Sequence, residues 1–145
     1  MMHGLGTGKT SLCKALAQKA FIRYIEKYST GLLLEISSHS LFSKYFSESG
    51  KLVVKLFDHI LDITEDEDCF VFVLIDEVES IVSSRDQASK SNEPGDAIRV
   101  VNAVLMSLDK LKYKTNTLVL CTSNMINNID QVVPIFVIIS ISKPL

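Results

Sequence analysis

A glycine-rich run, Gly4-Leu5-Gly6-Thr7-Gly8-Lys9-Thr10, leads directly into a segment with helical spacing, and this pairing leaves the chain few folds to choose from. Glycines let successive backbone N–H groups turn toward one centre, and the helix that follows adds positive potential at the same point. Lys9 is suited to reach the β- and γ-phosphates of a nucleotide, and the Thr10 hydroxyl to ligate Mg²⁺. The match to G-x-x-x-x-G-K-[ST] departs at its first position, where His3 stands and Gly4 comes one place later; His3 is assigned no role. Gly4, Gly6, Thr7, Gly8, Lys9, Thr10 and Ser11 form the candidate nucleotide-binding set.

The rest of the chain alternates between helical and strand patterns. Ser11 to Tyr28 carries Leu12, Ala15, Leu16, Ala20 and Ile22 between lysines and is expected to be an amphipathic helix with those residues on its apolar face. Gly31 should break that pattern, with a short buried strand following over Leu32 to Ile36. Lys51 to Asp62 spaces its apolar residues for a second helix, and the acidic run Glu65 to Asp68 should be a solvated loop. Phe70 to Ile75 is uniformly apolar and of strand length, as befits a strand covered on both faces of a parallel sheet. A polar loop spans Ser83 to Gly95, Asp96 is expected to cap a third helix lined by Ala97, Ile98, Val101, Val104, Leu105 and Leu108, and Thr117 to Thr122 is a further strand. Strands alternating with helices imply an α/β sandwich. The apolar tail from Gln131 to Leu145 fits either a last strand or an exposed sticky end.

At 145 residues one domain is expected, and 47% hydrophobic against 22% charged residues suits a packed core. A net charge of -2 offers no basic field for nucleic acid, and no apolar run approaches the ~20 residues that span a bilayer. No segment combines the features of a secretion signal, so the reducing cytosol or nucleus is favoured. Cys13, Cys69 and Cys121 lack metal-ligand spacing and read as buried structural thiols. His39 and His59 have no partner at nucleophile or metal spacing and read as ordinary residues.

Two further strand ends carry chemistry. Asp76-Glu77 closes the buried strand, and ligands of open α/β sheets sit where strands end. Asp76 is placed to hold Mg²⁺ and its waters, and Glu77 to orient and deprotonate an attacking water. Asn124 ends Thr122-Ser123-Asn124, where a neutral amide can hydrogen-bond the γ-phosphate and that water without competing for the metal. Thr10 and Asp76 are thus the metal candidates, Glu77 and Asn124 the catalytic ones.

These elements in this order resemble the AAA+ ATPases, with Walker A at Gly6 to Thr10, Walker B at Phe72 to Glu77 and sensor 1 at Asn124. Thr10 to Lys19, Ser38 to Lys44, Phe46 to Lys51, Val73 to Ser80 and Asp96 to Leu105 are similar, within that group, to the pachytene checkpoint protein family, also called thyroid receptor-interacting protein. The likeness covers about Gly4 to Asp130. It implies a P-loop three-layer α/β/α sandwich with a mostly parallel sheet, a homohexamer, ATP with Mg²⁺, and ATP-driven unfolding of part of HORMA-domain proteins with an adaptor. It further implies roles in meiotic recombination, chromosome synapsis and the spindle checkpoint, in nucleus and cytoplasm, at chromosomes and kinetochores. No direct contact with nucleic acid or membrane is implied. By the same resemblance Tyr45 and Phe46 fall in the pore loop whose aromatics grip the substrate chain, a buried aromatic pair being the alternative reading of the two residues.

The family pattern includes a central strand before the phosphate loop, and after Asp130 arginine fingers, a second sensor and a helical lid. The expectation is therefore an incomplete AAA+ large subdomain over 1–130 and a divergent tail over 131–145. A neighbour's arginine finger is worth ~10³ or more in rate, so the isolated chain is expected to bind nucleotide weakly, hydrolyse it negligibly and aggregate. The alternative to a motor domain is a catalytically inactive module that only binds nucleotide or a partner. A small-molecule kinase on the same loop suits the Asp76, Glu77 and Asn124 set less well than water activation does.

Overall fold

Cys69 to Ile75 is buried at every residue, and a strand with two apolar faces can be satisfied only between two layers. The computed structural model describes residues 8–38, 40, 41, 51–80, 95–124 and 137–140. Its elements are α1 (Lys9–Tyr24), β1 (Thr30–Ser37), α2 (Lys51–Thr64), β2 (Cys69–Asp76), α3 (Gly95–Lys112), β3 (Thr117–Ser123) and β4 (Val137–Ser140). The strands lie in the order β1-β2-β3-β4 with every neighbouring pair parallel.

Alternation along β2 sorts its side chains between the layers. Val71, Val73 and Ile75, joined by Val119 and Cys121 of β3, pack under Val53, Phe57 and Ile60 of α2 and Val101, Val104, Leu108 and Leu111 of α3. Phe70, Phe72 and Leu74, with Leu118 and Leu120, face Cys13, Ala17, Ala20 and Phe21 of α1. The result is a helix–sheet–helix sandwich, each fully buried aliphatic or aromatic side chain contributing about 1.5–3 kcal/mol.

Three expectations need correction. The buried stripe of α1 is Lys9, Cys13 and Ala17, while Leu12, Leu16 and Ile22 are 48%, 38% and 60% exposed. Small side chains lie on the inner face because the helix rides directly on the rings of Phe70 and Phe72. Gly31 does not break the pattern but sits inside β1, where an added Cβ would stand 2.6 Å from a ring carbon of Phe21. The third helix begins at Gly95, which puts Asp96 inside its first turn instead of at the cap. Of the two readings of the apolar tail, Val137–Ser140 takes the strand, laddered on β3 from Leu120↔Val137 to Ser123↔Ser140. There it meets backbone hydrogen bonds that the β3 edge would otherwise owe to water.

Asn116 ties the entry side of the sheet together. Its buried Nδ2 donates to the carbonyls of Thr64 at 3.0 Å, Asp66 at 3.1 Å and Cys69 at 2.9 Å, joining the end of α2 and the start of β2 to the start of β3. The acidic residues Glu65 to Asp68 between them are exposed. Next to Asn116 at this end lies a cleft of about 370 Å³ lined among others by Lys27, Tyr28, Glu65 and Lys114. No helix among the described residues is long and apolar enough to cross a membrane.

All three cysteines are free and buried. Burial, with Cys13 nearby as a lesser cause, pushes the Cys121 thiol up to about 12. Burial first and Asp76 second raise Cys13 as well. A thiol whose folded pKa lies above its unfolded value of about 8.5 contributes fully below that pH and loses its contribution as pH rises toward the folded value. The urea midpoint is therefore expected to fall as pH rises from about 8.5 to 11, and Cys121→Ala to flatten that fall while lowering stability near neutrality by about 1 kcal/mol.

Candidate functional site

A parallel sheet ends all its strands at one edge, and α1 begins there. Ser37 stands opposite Asp76, and Ile75 opposite Cys121, so Asp76 at the end of β2 lies beside Thr122, the next-to-last residue of β3. Gly8, immediately before α1, has φ 76, a left-handed conformation that costs other residues roughly 1–2 kcal/mol. No side chain caps α1 and its first turn holds no acid, which leaves the positive end of the helix for an anion.

The first two helical residues reach across to β2 and β3. Lys9 is only 9% exposed, and its Nζ donates to Asn124 Oδ1 at 2.5 Å. Thr10 Oγ1 donates toward both oxygens of Asp76, at 3.1 and 3.0 Å. Asp76 Oδ1 also accepts from the hydroxyl of Thr122, which is fully buried. That hydroxyl accepts the Glu77 N–H at 3.1 Å, and the Thr122 carbonyl accepts the Val78 N–H at 3.0 Å. Chain exit from β2 is thus clamped to one residue of β3.

The clamp accounts for the backbone of Glu77. Its φ of 59 is the single positive value at a non-glycine among the described residues, a strain of order 1–3 kcal/mol that persists only where neighbours impose it. The turn carries the Glu77 side chain out of the sheet into solvent, where it is exposed. Two residues further on, Glu79 Oε1 accepts hydrogen bonds from both the backbone N–H of Asn124 at 3.1 Å and its Nδ2 at 2.9 Å.

Lys9 with Asn124 and Thr10 with Asp76 therefore form two neighbouring hydrogen-bonded pairs, with Glu77 at the same edge and Ser11 exposed in the first turn of α1. Gly4, Gly6, Thr7, Tyr45 and Phe46 lie outside the described residues, as do His3 and His39; His59 is exposed on α2. Sequence reasoning passed over the parts played by Thr122 and Glu79. Thr122 gave a signal, a hydroxyl at the end of an apolar strand, whereas Glu79 gave none that could be read without knowing that β2 and β3 are neighbours.

An uncapped helix start, a carboxylate and a neutral amide thus meet at the exit edge of a parallel sheet, where ligands of open α/β sheets bind. The chain belongs to the ATPase family associated with various cellular activities (AAA), whose family model matches residues 2–139. More particularly, it is similar to the pachytene checkpoint protein 2 homologues of Homo sapiens and Gallus gallus, at 58% identity over 131 and 132 residues. Those alignments take in 90% of this chain but 30% and 31% of the relatives, so the chain spans about a third of their length. The solved structure of C. elegans PCH-2 matches it with a TM-score of 0.73 and 51% identity, over 94% of this chain and 34% of that one.

Proposed function

We propose that this chain forms the nucleotide-binding part of an ATP-hydrolysing remodeller of the pachytene checkpoint type. The observation that carries the reading is the meeting of Lys9 with Asn124 and of Thr10 with Asp76 at the uncapped start of α1. The donor set fits a magnesium triphosphate: an ammonium and an uncapped helix end for phosphate oxygens, a hydroxyl and a carboxylate for the ion. Mg²⁺, when bound, supplies charge neutralisation across the β- and γ-phosphates.

Each side chain has a distinct task in this reading. Lys9 exchanges Asn124 Oδ1 for phosphate oxygens, a trade of a neutral for an ionic acceptor that favours binding. Thr10 and Asp76 would hold the metal. Glu77, turned outward by its left-handed backbone, takes a proton from the attacking water, and Asn124 orients that water and the terminal phosphate. Thr122 keeps Asp76 and the Glu77 backbone in fixed relation. Gly4, Gly6, Thr7, Gly8 and Ser11 complete the phosphate cradle in this proposal.

The names of the relatives support a checkpoint role, and the wider resemblance supports the rest of the assignment: a homohexamer, HORMA-domain substrates met through an adaptor and gripped at Tyr45 and Phe46, and work in meiotic recombination, synapsis and the spindle checkpoint in nucleus and cytoplasm. Thermal unfolding in a Mg-ATP titration tests the core of it. Ligand at 100 times its Kd stabilises the folded state by about 2.7 kcal/mol, which for a domain of this size raises Tm by roughly 5–11 °C. A melting point indifferent to millimolar Mg-ATP would refute the proposal.

A further inference from the structure

Glu79 lies outside the phosphate grip, yet it holds a residue that belongs to it. Its Oε1 accepts two hydrogen bonds from Asn124, one from the backbone and one from the side-chain amide. Its Oε2 is buried with no partner among the described residues. Burying an oxygen without a donor opposes folding, and a swing of the half-buried side chain into solvent would relieve it. What keeps the carboxylate in place is its hold on Asn124.

That hold decides which way the amide faces. An Asn side chain has an acceptor end and a donor end of nearly equal shape, and exposed ones turn over at small cost. Here the two neighbours agree. Lys9 can only donate and takes Oδ1 at 2.5 Å, whereas a carboxylate can only accept and takes Nδ2 at 2.9 Å. Once Lys9 turns to phosphate, Glu79 alone maintains the orientation, and one N–H of the amide stays fixed as a donor for an incoming oxygen. Preorganised donors bind more tightly than ones that must be ordered on arrival.

We propose that Glu79 is a positioning residue that presets Asn124 for the terminal phosphate of a nucleoside triphosphate, and so sets the preference for triphosphate over diphosphate. This rests on the nucleotide-binding reading above. The test compares Mg-ATP and Mg-ADP dissociation constants for the full chain and its Glu79→Ala, Glu79→Gln and Glu79→Met variants. Glu79→Ala is expected to weaken Mg-ATP about five- to tenfold while leaving Mg-ADP within about twofold. Glu79→Gln, which retains an acceptor for both N–H groups, should restore most of the preference. Glu79→Met fills the space without an acceptor, guards against a fold lost to a cavity, and should behave as Glu79→Ala does. Equal weakening of both nucleotides, an unchanged ratio, or a glutamine variant no better than methionine would overturn the proposal and leave the nucleotide site standing. A wild-type chain that binds neither nucleotide would remove both.

Discussion

Lys9→Met is expected to abolish the rise in melting temperature that Mg-ATP gives the wild-type chain, with Kd increased by about 10²–10³. The amine is nearly buried at the start of α1, beside Asn124. Hydrogen bonds to charged groups contribute roughly 1.5–3 kcal/mol each, and two phosphates engaged by one ammonium give about 3–4 kcal/mol, a hundred- to a thousandfold in affinity. Methionine preserves much of the stem, so the unliganded melting point should move by only a few degrees. The decisive quantity is the ligand-dependent shift, measured against the variant's own unliganded baseline. A Lys9→Met chain that Mg-ATP stabilises as strongly as wild type would mean that the anion site is elsewhere.

The largest effect on stability is expected at Asn116. Removing its amide takes the donor from the carbonyls of Thr64 and Cys69, both bonds lying wholly in the interior, and from that of Asp66, which still accepts the Cys69 N–H. At roughly 1–3 kcal/mol for each buried group left without its partner, Asn116→Ala should cost about 3 kcal/mol, or some 6–12 °C in Tm. Asn116→Asp is the sharper variant, because it keeps the shape and turns the donor into an acceptor facing three carbonyl oxygens. At pH 7 it should be at least as unstable as Asn116→Ala. Repulsion raises the folded pKa of the new carboxyl above its unfolded value near 3.9, so the penalty is absent below that pH and grows as pH rises through the folded value. Urea unfolding at pH 7 and near pH 4 checks both parts; a wild-type midpoint for Asn116→Asp at pH 7 would show that the amide donates nothing of consequence.

Much of the layered plan was legible because β2 is apolar at every position, and such a strand demands cover on both sides. Lys9, Thr10, Asp76 and Asn124 were legible as candidates because each stands where an apolar run or a glycine turn stops. The orientation of α1 was not. Its leucines and isoleucine looked like the buried face, but the helix turns Lys9, Cys13 and Ala17 inward, with Ala20 and Phe21 packed beside them on the sheet. Gly31 was misread for a similar reason, since the feature that requires glycine there is the ring of Phe21, ten residues earlier in sequence.

The amino-acid order alone determined the conformations that are local: a glycine loop feeding a helix, strands where β-branched and aromatic residues run together, and turns at polar stops. Those follow from backbone sterics and side-chain shape, which act over a few residues. Only the tertiary structure decided that Thr122 clamps Asp76 to the Glu77 backbone and that Glu79 holds Asn124, contacts between residues 45 or 46 positions apart. Parallel pairing of β2 with β3 creates those contacts, and register is set by packing on both faces of the sheet at once, which no short stretch of sequence encodes.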